Sequence, residues 1–138
     1  MHSYLDRHQA HVLGILRIVA ALTFISHGTQ KLFGFPVMPP SGSLPPVMSL
    51  FWFAGILECV GGLLVLLGLK TRIAAFVLSG QMAFAYWIGH APKSFYPIVN
   101  GGDSAILYCF VFLYLVFASA GAFSVDGRTR STSALAGA

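Results

Sequence analysis

Six side chains able to move protons or bind polar groups, His27, Lys31, Glu58, Gln81, His90 and Asp103, sit inside or at the edges of long apolar runs. Charge in hydrocarbon is costly and persists where it faces a bundle interior or a cavity and meets a partner, which makes these six the candidate functional residues. His27 and Lys31 stand at i and i+4, so a helix puts them on one face. Lys31 can then pair with Glu58 or Asp103 across a bundle. On its own, such a pair can serve simply to lock two helices together. Two histidines, a glutamine and a second acid at similar depth exceed what locking needs, and they suit a polar ligand or a proton path.

The elements that must position these residues follow from composition. Of 138 residues, 57% are hydrophobic and 9% charged, far below the quarter or so charged in an average soluble chain. Four apolar stretches, at about 12–33, 50–69, 73–91 and 104–122, each approach the roughly 20 residues that cross a bilayer as a helix. The chain thus divides into an N-terminal arm (1–11), a four-helix transmembrane domain (12–122) and a C-terminal tail (123–138). Arg17 lies within the first stretch and no small-residue cleavage site follows, so that stretch is expected to be retained rather than removed as a signal peptide. The net charge of +4 is scattered over loops and forms no stripe, which argues against nucleic-acid binding. It reports topology instead: Arg7, Lys70, Arg72, Arg128 and Arg130 mark one side, and residues 34–49 carry no charge. Positive-inside bias predicts both termini in the cytoplasm of a bacterial inner membrane.

Helix one is expected from near His11 to Lys31-Leu32-Phe33, stopped by Gly34 and Pro36. The turn Leu69-Lys70-Thr71-Arg72 makes helices two and three an antiparallel hairpin, and the prolines and Gly101-Gly102 after His90 end helix three. His27-Gly28-Thr29-Gln30-Lys31 and the segment after it weakly echo His90-Ala91-Pro92-Lys93, each followed by a helix carrying an acid, as a duplicated hairpin would. At about 1.5 Å per residue, Glu58 lies about 12 Å below the outer start of helix two and Gln81 about 15 Å below the outer end of helix three. All six candidates therefore fall in the outer half of the bilayer and could line one cavity open to the outside. Gly55, Glu58 and Gly62 share a face of helix two, and Ala75, Ser79 and Ala83 recur on helix three; small residues so spaced let helices approach closely in lipid. Phe76, Val77 and Phe84 are left for lipid or a partner.

Arg17, about two turns inside the cytoplasmic end, is expected to snorkel to the headgroups, with a buried contact to Glu58 or to a helix C-terminus as the alternative. Cys59 and Cys109 have no metal or redox spacing; burial as small hydrophobes is the plain expectation, and a disulfide between helices two and four stays open. No GxGxxG, P-loop, CxxCH or Ser-His-Asp arrangement occurs. Haem ligation by His27 and His90 is disfavoured because both lie near one edge, and the histidines and acids lack local zinc-ligand spacing.

The order of these residues is itself informative. Arg17, Phe24, His27-Gly28, Lys31-Leu32-Phe33-Gly34, Phe53-Ala54-Gly55, Glu58, Gly61-Gly62, Leu67-Gly68, Thr71-Arg72-Ile73-Ala74-Ala75, His90 and Asn100-Gly101-Gly102 resemble the pattern of the DoxX family of small four-helix bacterial membrane proteins, over about residues 12–126. Asp103 stands where the family pattern has glutamate, a shorter reach for any contact there. The family's name comes from a subunit associated with thiosulfate:quinone oxidoreductase, so the resemblance implies a quinone-linked redox role, often beside a partner protein.

The sequence as a whole reads as an all-α, four-helix transmembrane bundle with an outer cavity. Its first functional reading is the membrane subunit of a quinone-linked oxidoreductase, with a quinone as possible ligand. A non-catalytic anchor in a larger complex and a small transporter or lipid-binding protein are the alternatives.

Overall fold

The computed structural model describes residues 2–129. Its elements are α1 (His2–Phe33), α2 (Leu50–Leu67), α3 (Thr71–Ala85), a π-helical turn (Tyr86–His90), a 3-10 turn (Ala91–Lys93), α4 (Pro97–Asn100) and α5 (Asp103–Ala118). No strand occurs among the described residues. The Tyr4–Phe33 part of α1 and all of α2 are long and apolar enough to cross a membrane, and α5 is a shorter apolar helix.

α1 starts nine residues before His11, the expected start. Residues 2–11 contain neither glycine nor proline, so nothing there stops the helix from extending. α2 starts at Ser49, whose hydroxyl accepts from Trp52 N–H at 3.3 Å, and ends at Gly68, whose φ of +65° closes the helix with Leu69 N–H on the Leu64 carbonyl. After Lys70, α3 runs back alongside α2. The fourth apolar stretch stops being helical at Ala118, short of the expected 122: Ser119 turns the chain, and residues 119–124 fold back beneath the bundle.

α1 packs on α2, α3 on α5, and α2 bridges to α3. The α1–α2 contact is close because a Cβ on Gly28 would meet Cys59 Sγ at 2.7 Å and one on Gly62 would meet Ile25 at 2.7 Å. Across α3 and α5, Ser79 Oγ donates to the Cys109 carbonyl at 2.9 Å. Phe24 closes the ring, edge-on to Phe112 with centroids 4.8 Å apart. The core of Ala21, Phe24, Val65, Ala75, Leu78, Phe112 and Leu115 is thin, whereas Val19, Leu22, Val60, Leu63, Ile73, Phe76, Phe110 and Phe117 face outward. An exterior this apolar is the surface of a protein whose solvent is lipid.

Candidate functional site

A cavity of about 730 Å³ occupies the half of the bundle away from the α2–α3 turn. Its walls are largely apolar, and its central polar cluster comes from α1, α2 and α3. Gly55 brings the backbones together: a Cβ there would lie 3.1 Å from the Lys31 Cβ. Lys31 Nζ can therefore reach across to Glu58, donating to Oε1 at 2.8 Å and Oε2 at 2.6 Å. Glu58 is buried, with 2% of its side chain exposed, while Lys31 keeps 25% toward the cavity. From α3, Gln81 Nε2 donates to Glu58 Oε1 at 3.2 Å and to the Ala54 carbonyl at 3.3 Å. Gln81 Oε1 is buried with no partner. His27 stands at the cavity edge, edge-on to Tyr108 at 5.8 Å.

Arg17 lies apart from this cluster. It neither snorkels nor meets Glu58: it is fully buried, and each of its N–H groups finds a carbonyl. Nε donates to Ala120 at 2.7 Å, Nη1 to Val65 at 2.7 Å and to Leu66, and Nη2 to Phe123 at 2.8 Å and Ala122 at 3.2 Å. Val65 and Leu66 present carbonyls of the last turn of α2, Val65 accepting from Gly68 N–H as well, and the turn after α5 supplies the other three. A guanidinium surrounded by carbonyl dipoles need not reach the headgroups. Asp126 completes this end by accepting from Lys70 N–H and Thr71 N–H at 2.9 Å each, a remote cap on α3.

The chain matches the DoxX family model over residues 12–91. It also shares 43% identity over 127 residues with an uncharacterized protein of Haemophilus influenzae, a match covering 90% of this chain and 95% of that one. It belongs to the DoxX family. No solved structure matches it.

In this DoxX membrane protein the six candidates do not all converge. Lys31, Glu58 and Gln81 form one hydrogen-bonded cluster, and His27 and His90 line the same cavity. His90 is held by the loop: its Nδ1–H donates to the Asn100 carbonyl at 3.0 Å. Asn100 is itself fixed, its amide donating to the Ser94 carbonyl at 2.9 Å and accepting from Gly102 N–H at 2.7 Å. Asp103 is the exposed first residue of α5 and lies outside the cavity, where its charge suits the helix N-terminus. It does not point into the cavity. Lys93, Ser104 and Tyr108 line the cavity without having been singled out. Tyr108 carried a usable signal, a hydroxyl in an otherwise apolar run.

Cys59 and Cys109 are free thiols at different contacts, Cys59 against α1 and Cys109 against α3. Among the described residues, no three His, Cys, Asp or Glu side chains gather closely enough to hold a metal ion. The cavity's own chemistry is that of two ammonium groups, a carboxylate, an amide, two imidazoles and two hydroxyls beside an apolar slot.

Proposed function

We propose that this chain is an integral subunit of a quinone-linked oxidoreductase in a bacterial inner membrane, and that its outer-leaflet cavity binds the head of a quinone-like ligand and handles its protons. The observation that carries this reading is the Lys31–Glu58–Gln81 cluster at the wall of an otherwise apolar cavity of about 730 Å³. Ligand sites combine an apolar enclosure with a few placed polar groups, and a ring with polar oxygens on a long apolar tail needs that mixture.

Reduction of a quinone to a quinol takes two electrons and two protons. In this reading a partner subunit supplies the electrons. Lys31 donates to a ring oxygen, Glu58 holds Lys31 in place, and His27 and His90 connect the site to the outer surface for proton exchange. Four membrane crossings with both termini inside give the topology, with the cavity facing outward. Reporter fusions at Gly42 and Asn100 should then read outside, and fusions at Lys70 and Ser131 inside; the reverse pattern would overturn the charge argument.

Mild purification followed by mass spectrometry of the extracted lipids and co-purifying proteins tests the function. The expected result is a bound quinone that disappears in Glu58→Gln. A stoichiometric redox partner with no quinone on either protein would favour the anchor reading and overturn ours.

A further inference from the structure

The cavity has a side wall between α2 and α3, and that wall is shaped along the bundle axis. Leu50, Phe53 and Leu57 on α2, Val77 and Phe84 on α3 and Ile88 on the π-helical turn all line the cavity, yet each is 42% to 58% exposed. The first three recur at i, i+3 and i+7 and the others at i, i+7 and i+11, spacings that set each trio in a row along its helix. Two apolar rows thus run beside an opening in the flank of the bundle. Nearer the α2–α3 turn the helices are closed, since a Cβ on Gly61 would come within 2.7 Å of Leu78. Higher up, Gly80 lines the cavity, and a Cβ there would meet nothing within 4 Å. At that level the helices are joined through Gln81, whose amide reaches the Ala54 carbonyl at 3.3 Å. Gly61 lets the helices touch, whereas Gly80 leaves a groove.

A positive charge stands at the upper end of this groove. The 15 residues of α3 and the five of the π-helical turn measure about 30 Å at about 1.5 Å per residue, the thickness of a bilayer's hydrocarbon core. Lys93, at the end of the 3-10 turn that follows, is therefore at headgroup depth, and it lines the cavity. Lys31 is matched by Glu58, while Lys93 has no ion-pair partner among the described residues. Asp103, the acid nearest to it in sequence, lies outside the cavity, and Ser104 adds a hydroxyl to the lining. Lys93 is thus the uncompensated charge of the cavity wall.

We propose that this groove binds one phospholipid of the surrounding leaflet, with an acyl chain laid between α2 and α3 over Gly80 and the phosphate held by Lys93. The two rows supply apolar contact along the chain, and the lysine favours a head with net negative charge. The lipid covers the side opening, so a ligand that reaches Lys31 and Glu58 from the membrane displaces it. This proposal rests on the four membrane crossings above and not on the quinone-linked reading.

The test is native mass spectrometry of the full chain after exchange into detergent holding equal amounts of phosphatidylglycerol and phosphatidylcholine with the same acyl chains. The wild-type chain should retain one lipid, phosphatidylglycerol about fivefold more often than phosphatidylcholine, the ratio expected of one lysine near an anionic head. Lys93→Gln should retain the two equally. Gly80→Phe should retain neither at an unchanged or higher melting temperature, because the added ring enters open space. Should that variant fail to fold, Gly80→Leu makes the same test with a smaller side chain. Wild-type retention by a folded Gly80 variant would overturn the groove, and equal retention by the wild type or an unchanged preference in Lys93→Gln would overturn the headgroup contact. Oleate added at the same concentration should leave the phospholipid in place; its replacement by oleate would overturn the assignment in favour of a free fatty acid. A wild-type chain that retains no lipid, whether alone or with a second copy or another helix over the groove, would overturn the proposal as a whole. No arm contains a quinone, so each of these failures leaves the quinone-linked reading to its own test.

Discussion

The two ends of this bundle treat buried charge in opposite ways. At the end near the α2–α3 turn, Arg17 is enclosed: its donors are all taken by carbonyls, Asp126 caps α3 beside it, and the chain after α5 folds over the site. At the other end, Lys31 and Glu58 pair directly, but the pair opens on a cavity, a neighbouring amide oxygen stays unpaired and the His27 imidazole stands at the rim against Tyr108. Saturated buried polar groups rigidify a structure, whereas unsaturated ones store an unmet demand for a ligand. Thr71 Oγ1 at the closed end is buried and unpartnered too, so the contrast we propose between a structural and a binding end rests on the two charges, Arg17 enclosed by carbonyls and Lys31–Glu58 opening on a cavity.

The largest effect that can sharpen this contrast is expected from Arg17→Lys. Lysine keeps the charge but brings three donors where five carbonyls wait, on a side chain without the guanidinium's fork. Two or more buried carbonyls lose their partners at about 1 to 3 kcal/mol each. The detergent melting temperature and folded yield should fall steeply, and near-wild-type stability would break the account of the closed end.

Next in size is the open end's own pair. Removing one member of a buried ion pair costs about 3 to 5 kcal/mol, and Lys31's partial exposure lowers that to about 1 to 3 for Lys31→Met or Glu58→Gln. The double variant should cost less than the two singles together. Strict additivity in the melting series would show that the residues do not interact.

Much of this arrangement is legible in the sequence, and the illegible part has a physical cause. Polar residues at matching depth in apolar stretches give Lys31, Glu58 and Gln81, and the Gly55-Glu58-Gly62 face gives the helix contact that joins them. Asp103 misleads because depth follows from residue count, while direction depends on how α5 is rotated. Arg17's partners are invisible because backbone carbonyls have no sequence signature. The turn that supplies three of them, Ser119 to Phe123, is as apolar as the helix before it. Asp126 reads as one charge in a tail until the fold brings Lys70 and Thr71 to it.

Asp126→Ala is the third test, smaller than the first two. It leaves two N–H groups at the start of α3 without their acceptor, a loss comparable to removing a helix N-cap, about 1 kcal/mol. A modest drop in melting temperature with ligand binding intact is expected. A change in binding would show that the two ends are coupled.

The central claim, a structural end and a binding end in one bundle, is tested most directly by measuring ligand retained per folded molecule in His27→Gln beside Arg17→Lys. His27 touches Tyr108 at the rim and takes no part in the packed core, so His27→Gln should fold and melt like the wild type, within about 0.5 kcal/mol, while losing quinone-type ligand. Arg17→Lys should yield far less folded protein, and each surviving molecule should retain ligand normally. Full retention by His27→Gln, or losses of fold and ligand in the same proportion in both variants, would contradict the account.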